Sequence, residues 1–493
     1  MVLSFRSNRT GRKSKFKEWG DSILFALIAA SIIRTYVFEP FQIPTGSMEK
    51  TLLVGDFLFV NKLAYGPKVP VTPLSFPLVH NTIPWINIKS YSGLETCKYT
   101  RLPGFGEVQR NDVMVFNYPS GDTAVYDPRV PDGLMGHDYH GIVNQEGLYY
   151  YQQSQGNAIR TIFQSINDSM VSLLKNAGKT DEEIATYNLD AAINSNKKYL
   201  DAYFGGFIQN SSYWKNKARV AMRDQKITYS QGQTTIEHFG LVYRPVDKRE
   251  NYIKRCVGLP GDVLEIKSSV LYVNGKPAFR AEGRNMAYKN TGEPLSLSML
   301  ESKYGLTAKE GDIALDGNGS IYIIYLTNEK FRAIQRNYPN SKLKLSLTPQ
   351  YSDIKGYQPN SKDLYENLSY FPKDIQINNT VTDFTRFTIP KKGATVKLTK
   401  DNIAWYRRVI TAYEGHVLEE KPTGILIDGK KVNSYTFQMN YYWLMGDNRY
   451  NSADSRVWGF VPEDHVVGRA SIVWFSKSAY TGIRWDRVLK IIH

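Results

Sequence analysis

The chain has 493 residues, a formal net charge of +15, 34 tyrosines and two cysteines. This length allows two to four domains, and two cysteines exclude a disulfide-dense scaffold, with the pairing of Cys97 and Cys256 left open. The basic residues are spread along the chain without a strongly basic helix or a zinc-finger spacing, so nucleic acid is not an expected partner and a surface near anionic lipid is the easier account.

The N-terminal segment combines a basic tail with an apolar stretch. Residues 1–20 carry six basic side chains against one acid, and residues 22–33 are uncharged up to Arg34. Counted across Arg34, the stretch from Ser22 to Phe38 has 17 residues, which is the short end for a membrane span, and an arginine near its end can reach the headgroups. We therefore expect a cytoplasmic tail followed by a transmembrane anchor over 21–38.

This topology puts the rest of the chain on the far side of the inner membrane, in the periplasm more readily than at the exterior. A cleaved signal peptide is the alternative interpretation, because the lengths of the charged and apolar parts also fit one. Arg34 and the bulky residues after it stand where a small-residue cleavage site would be expected. The sequence therefore favours an uncleaved anchor.

Three strand-rich blocks follow, separated by two polar stretches. The blocks are residues 39–119, 246–275 and 403–493, and the stretches 120–245 and 276–402 are interpreted as insertions. Helices are expected near 157–175 and 181–200. Strands are expected at 56–62, 112–118, 252–257, 263–273 and 320–326, and in WYRRVI (405–410), GILIDGKKV (424–432), YTFQMNYYWLM (435–445) and RASIVWF (469–475). Alternation and aromatic content favour this β-rich assignment, and tyrosine is abundant throughout.

Three short segments carry residues of catalytic type. PTGSM, residues 44–48, places Ser47 on a tight turn where its hydroxyl can point outward. In YIKRCVGLPGD, from residue 252, strand alternation puts Lys254 on one face with Tyr252 and Cys256, where an inward lysine would be desolvated. GDNRYNSADSR, from residue 446, is a dense polar turn. Taken singly, each also fits an ordinary turn or a solvated strand lysine.

Together with FEPFQIP and GDFLFVNK, these segments resemble the four sequence boxes of type I signal peptidases, in the same order. The resemblance covers the boxes and the upstream apolar segment, and both polar stretches lie outside it. It implies a membrane-bound serine endopeptidase that removes N-terminal signal peptides from exported preproteins after small residues at −1 and −3. The implied fold is mainly β: an antiparallel catalytic domain with an N-terminal transmembrane helix and two large α+β insertions.

The resemblance also implies roles for individual residues. Ser47 would be the nucleophile and Lys254 its general base, Ser452 would orient the lysine, and the Ser47 N–H with the Thr45 hydroxyl would form the oxyanion hole. Asp454 and Arg456 would form a structural ion pair. The walls of the substrate pockets would consist of Phe41, Ile43, Pro44, Met48, Leu52, Tyr252 and Ile253. About half of the pocket residues would instead be plain core.

The sequence departs from the family pattern at three positions near the site. Thr45 stands where a serine is usual, Lys50 replaces a common proline and Tyr450 replaces a common acid. A threonine hydroxyl can donate as a serine does. The chemistry requires Lys254 to be neutral, so its pKa must fall by about 2–3 units from the free value near 10.4.

No metal or organic cofactor is expected, and the HxxH pair His137 and His140 is interpreted as loop residues. The expected partners are signal peptides of preproteins and membrane lipid, with the secretion translocon nearby.

Three other functions compete with this interpretation. Ser47 to Lys50 also spells SxxK, the acylation motif of penicillin-interacting enzymes, but the KTG companion is missing and Gly55 leaves little room for a helix. The peptidase interpretation requires that Lys50→Ala remain active and Lys254→Ala be inactive. A non-catalytic membrane-tethered binding protein and a self-cleaving repressor with a Ser–Lys pair are the other two alternatives.

Overall fold

The structure, a computed structural model, describes ten segments of the chain. These are residues 15–80, 82–83, 88–119, 123–126, 139–187, 189–224, 228–231, 234–237, 240–478 and 482–492. Most of the basic tail and His137 lie outside the described residues. The α-helices in the described segments are Lys15–Tyr36, Tyr139–Ser154, Gly156–Asn176, Asp181–Ala185, Asp190–Ser195, Lys197–Leu200, Gly206–Gln209, Ser211–Asp224, Leu297–Tyr304, Asn328–Asn337, Ser361–Glu366, Ile403–Arg408 and Ser455–Trp458.

A nine-stranded antiparallel sheet, here called the main sheet, draws strands from all three strand-rich blocks. Its strands in spatial order are Phe38–Gln42, Asp56–Asn61, Val466–Ser478, Val113–Asn117, Asn251–Gly258, Tyr441–Met445 and Val461–Pro462, with Gly482–Ile483 and Lys490–Ile491 on the long strand. Both faces are covered: Val113 and Val115 pack into one apolar cluster, while Met114 and Phe116 pack into another. Burial on both faces explains why residues 113–116 of this strand are all apolar.

A second sheet packs beside the main sheet around an aromatic core. Its strands are Lys276–Pro277, Val270–Val273, Val263–Lys267 and Phe384–Thr388. In this core Phe387 stacks on Trp405 with ring centroids 4.8 Å apart, and it contacts Trp443 at 4.4 Å. The last strand comes from within the second polar stretch, so that stretch contributes to the same core.

The second polar stretch also forms a sheet of its own, here called the insertion sheet. It consists of Ile313–Leu315, Ile321–Thr327, Asn285–Asn290 and Leu343–Leu345. Helices Leu297–Tyr304 and Asn328–Asn337 cover it and close a separate apolar cluster. The first polar stretch is mainly helical within the described residues.

The smaller sheets complete the fold. Gly424–Ile427 lies between Leu418–Lys421 and Lys430–Val432, as the GILIDGKKV segment predicts. The remaining strand pairs are Thr82–Ile83 with Ile88–Lys89, Thr123–Tyr126 with Gly240–Tyr243, Thr228–Gln231 with Thr234–Glu237, and Thr395–Lys397 with Ser434–Thr436.

The expectation of an N-terminal transmembrane helix is wrong, and this part of the expected fold class is corrected. A helix does form over Lys15–Tyr36, but within the described part of the chain no helix is both long and apolar enough to cross a membrane. Its uninterrupted uncharged run, residues 22–33, rises only about 18 Å against a hydrocarbon core of about 30 Å. Arg34 is held by the protein, with Nε donating to Glu39 Oε1 at 2.8 Å.

Three further expectations are corrected. WYRRVI is not a strand but lies in helix Ile403–Arg408 and the π-helical turn Val409–Tyr413. Consecutive side chains of this helix, from Ile403 to Tyr406, are all buried. Tertiary packing therefore overrides the strand propensity of the segment. The helix expected over 181–200 is broken into short pieces, and YTFQMNYYWLM forms two strands, Ser434–Thr436 and Tyr441–Met445.

Candidate active site

Ser47 lies on a single 3₁₀ turn, Gly46–Met48, between the first two strands of the main sheet. Further turn residues follow it, and residues 46–51 are here called the nucleophile turn. The residue after Ser47, Met48, is fully buried, and its carbonyl oxygen accepts the N–H groups of Thr51 and Leu52, each at 2.9 Å. These contacts fix the turn on the core. Ser47 is therefore half-buried and held in place next to the apolar cluster that contains Met48.

Lys254 lies on a central strand of the main sheet and reaches the nucleophile turn. Its strand pairs with Val113–Asn117 on one side and with Tyr441–Met445 on the other. Lys254 is 3% exposed. Its Nζ lies 2.6 Å from Ser47 Oγ and donates to the carbonyl oxygen of Ile253 at 3.0 Å. The sheet thus brings together two side chains that are far apart in sequence.

Burial lowers the pKa of Lys254 to about 8. The carboxylates of Asp454 and Asp447 act in the opposite direction, and Arg456 adds to the lowering of this pKa. Each carboxylate is already bonded to a guanidinium group, Asp454 to Arg456 and Asp447 to Arg255, both at 2.8 Å. Loss of water is therefore the dominant cause, as is usual for a lysine without a bonded carboxylate.

The polar loop from residue 446 packs against the nucleophile turn. Asp454 accepts Arg456 Nε at 2.9 Å and the N–H of Gly446 at 3.0 Å, and both charged side chains are buried. A Cβ on Gly446 would lie 2.2 Å from Ser452 Oγ and 2.5 Å from the carbonyl oxygen of Ser47. Only glycine fits where the loop and the turn approach this closely.

Sequence reasoning missed a second buried ion pair. Arg255 Nε donates to Asp447 Oδ1 at 2.9 Å, and Asp447 Oδ2 also accepts Thr51 Oγ1 at 2.6 Å. Asp447 thus ties the lysine strand to the nucleophile turn. The sequence signal that could have predicted this pair was a basic residue, Arg255, beside Lys254 together with an aspartate, Asp447, in the polar loop.

The other predicted site residues fall into three groups. Ser452 lies beside the site, but its Oγ donates to the carbonyl oxygen of Ala453 at 3.4 Å and not to Lys254. Thr45 is exposed and makes no side-chain cap hydrogen bond. The pocket residues divide by burial: exposed Pro44; half-buried Phe41, Tyr252 and Ile253; and buried Ile43, Met48 and Leu52.

The lysine of the SxxK pattern is bonded to a carboxylate and not to Ser47. Lys50 Nζ lies 2.6 Å from Oδ1 of Asp312, the residue directly before the insertion-sheet strand Ile313–Leu315. The two cysteines are not bonded to each other, since Cys97 is an exposed and Cys256 a buried free thiol. Within the described segments no group of three or more His, Cys, Asp or Glu side chains is arranged to hold a metal ion.

Comparison with known proteins gives a consistent family match. The family model described as "Signal peptidase, peptidase S26" matches residues 16–134, 211–318 and 387–475, more than half of the chain. Signal peptidase I of Pseudomonas aeruginosa is 39% identical over 119 residues, which is 24% of this chain and 32% of that protein. Signal peptidase I of Buchnera aphidicola subsp. Schizaphis graminum is 32% identical over 166 residues, or 32% of this chain and 44% of that protein.

Signal peptidase I of Haemophilus influenzae is 53% identical over 58 residues, covering 12% of this chain and 17% of that protein. The chain spans about a third of the length of the first of these curated relatives. The family model matches three separated parts of the chain, and these include residues 211–245 and 276–318 of the two polar stretches, which were expected from the sequence to lie outside the resemblance.

Proposed function

Because the chain belongs to the signal peptidase family, peptidase S26, we propose that it is a signal peptidase I, a serine endopeptidase that removes N-terminal signal peptides from exported preproteins. The observation that carries the proposal is the 2.6 Å distance between Ser47 Oγ and the buried Lys254 Nζ. This distance allows direct proton transfer between a hydroxyl and an amine. No third side chain is required for the transfer.

Ser47 would act as nucleophile and Lys254 as general base. With its pKa at about 8, the amine of Lys254 is neutral in about half of the molecules at that pH. Ser47 Oγ bonds to the carbonyl carbon of the scissile peptide as its proton passes to Lys254 Nζ. When the C–N bond breaks, the leaving amine takes that proton and an ester remains on Ser47.

Hydrolysis of this ester would use the same two groups. Water attacks the ester carbon and gives a proton to Lys254, which returns it to Ser47 Oγ as the acyl group leaves as a carboxylic acid. In both steps the charge on the carbonyl oxygen would be stabilised by the Ser47 N–H and the Thr45 hydroxyl. The absence of a cap bond from Thr45 supports this role, because its hydroxyl is not engaged with the turn.

The substrate would lie across the half-buried and exposed part of the predicted pocket set. Phe41, Tyr252, Ile253 and Pro44 remain accessible, and shallow apolar walls favour the small side chains at −1 and −3 that we propose for the cleavage site. Met48, Leu52 and Ile43 would shape these walls from below, as buried core residues.

The polar loop would support the base. Asp454 and Arg456 would hold the loop through their buried ion pair, and Ser452 would orient Lys254 if its hydroxyl turned from the Ala453 carbonyl toward the amine. For the domains we propose a catalytic core from residues 39–119, 246–275 and 403–493 that carries two insertions, 120–245 and 276–402. The pairing of Phe384–Thr388 with Val263–Lys267 would attach the end of the second insertion to the core.

We also propose that the enzyme works at the inner membrane with its catalytic core on the periplasmic side, close to the secretion translocon that delivers signal peptides. Apolar side chains on the Lys15–Tyr36 helix support contact with lipid. Trp19 is 72% exposed and Phe25 is 74% exposed, and aromatic side chains in such positions favour the membrane interface.

The proposal is tested by incubating the full-length protein in detergent with a preprotein and following release of the mature chain. We expect processing by the wild type and none by Ser47→Ala at any pH. Processing that persists in Ser47→Ala would rule out the serine mechanism. A wild type that binds the preprotein without cutting it would favour a non-catalytic binding protein.

A further inference from the structure

The insertion sheet touches the nucleophile turn directly. The N–H of Lys50 donates to the carbonyl oxygen of Gly283 at 2.9 Å, and Gly283 lies two residues before the strand Asn285–Asn290 of that sheet. The fit is so close that a Cβ on Gly283 would lie 2.5 Å from Thr51 Oγ1 and 2.7 Å from its backbone nitrogen. A side chain at this position would therefore have to displace the turn that carries Ser47.

An ion pair completes this contact. Lys50 Nζ lies 2.6 Å from Asp312 Oδ1, with side-chain exposures of 25% and 3%. Asp312 is itself fixed, because its backbone N–H donates to Thr307 and its carbonyl oxygen accepts the N–H of Tyr325 at 2.8 Å. A pair with one nearly buried partner, held by backbone hydrogen bonds next to a strand, is unlike a surface salt bridge, which contributes little.

The insertion sheet also contacts the polar loop on the other side of the site. The N–H of Asn285 donates to the carbonyl oxygen of Asp447 at 2.9 Å, and the N–H of Arg449 donates to Asn285 at 3.1 Å. Tyr450 packs on the apolar cluster of the sheet, and its hydroxyl donates to the carbonyl oxygen of Ser346 at 2.7 Å. Lys50 and Tyr450, two residues that depart from the family pattern, thus both face the insertion sheet.

We propose that the insertion sheet is part of the catalytic unit, and that Lys50 and Asp312 are positioning residues that hold Ser47 against Lys254. Lys50 lies three residues after Ser47, on a turn tied to the core at Met48. Movement at Lys50 is therefore transmitted to the serine. Since a displacement of about 1 Å at a reacting group can cost about 100-fold in rate, the pair controls turnover without touching substrate. This inference rests on the proposed peptidase function.

The test compares Asp312→Asn, Lys50→Met and the double variant in the preprotein assay, with kcat and KM measured separately. We expect each single variant to lower kcat about tenfold and to change KM less than about twofold, because only alignment is lost. The double variant should be no slower than the slower single variant, since both changes remove one interaction. The exchanged pair Lys50→Asp with Asp312→Lys should recover part of the loss.

Asp374→Asn is the matched control. It removes a second 2.6 Å ion pair between the same insertion and the rest of the chain, the pair with Arg407, without involving the nucleophile turn. Its kcat should equal that of the wild type, while its Tm should fall by about as much as that of Asp312→Asn.

Three results would overturn the inference: wild-type kcat in Asp312→Asn, an equal loss in Asp374→Asn, or additive losses in the double variant. A wild type that processes no preprotein would instead overturn the proposed function. The two failures are therefore distinguishable.

Discussion

Two regions of the molecule contact the nucleophile turn, and each provides a different environment for a lysine. The main sheet buries Lys254 among apolar side chains and bonds its amine only to a hydroxyl and a carbonyl oxygen. At the insertion sheet Lys50 is bonded to the carboxylate of Asp312. A lysine that loses water without gaining a counter-ion becomes a base, whereas a paired lysine becomes a structural contact. Distance along the chain from Ser47 does not identify the base, since Lys50 is the nearer of the two.

The largest expected effect separates the two lysines. Lys254→Met should lower kcat/KM by at least about 10⁴-fold, because the proton acceptor is lost. Lys50→Met removes the same charge from the neighbouring region and should retain about a tenth of the wild-type rate. Both are measured as initial rates of preprotein processing. Comparable losses in the two variants would break the distinction between base and positioning residue.

A smaller effect is expected from the oxyanion donor on the main-sheet side. Thr45→Val keeps the shape of the side chain and removes its hydroxyl, so kcat should fall by about 100- to 1000-fold with KM nearly unchanged. Thr45→Ser is the matched control and should stay within about threefold of the wild type, because the donor is kept. Wild-type turnover in Thr45→Val would show that the exposed hydroxyl does not reach the developing charge.

Ser452→Ala should have the smallest effect of the three, about tenfold or less on kcat. Its Oγ is bonded to the Ala453 carbonyl oxygen, so Lys254 does not depend on it for its position beside Ser47. The measurement is kcat against pH for wild type and variant. A loss approaching that of Lys254→Met would mean that the serine turns to the amine during catalysis, and would sharpen the account of the base.

Much of the main sheet could be predicted from sequence. The segments at 56–62 and 112–118 were expected as strands and form Asp56–Asn61 and Val113–Asn117, because their apolar patterns are local and short. The proximity of Ser47 and Lys254 could not come from these patterns. That proximity was predicted only from the resemblance of four separated boxes, because the apolar pattern within one strand does not show which distant strand it pairs with.

Other features depend on tertiary packing and escaped the sequence. Trp405 and its neighbours favour a strand by composition. They form the helix Ile403–Arg408 instead, and Trp405 and Tyr406 are buried in the aromatic core. The contact between Lys50 and Asp312 joins two residues that are 262 positions apart in the sequence. No spacing rule relates two such positions, so a contact of this kind is visible only in coordinates.

The most direct test of the central claim is the titration of Lys254 itself. Its ε-carbon resonance can be followed by NMR against pH in protein with ¹³C-labelled lysine, and assigned by its disappearance in Lys254→Met. The account predicts a midpoint at about 8, with preprotein processing rising through the same pH. A midpoint near 10.5, the ordinary lysine value, would mean that burial does not prepare this amine as a base and would contradict the account.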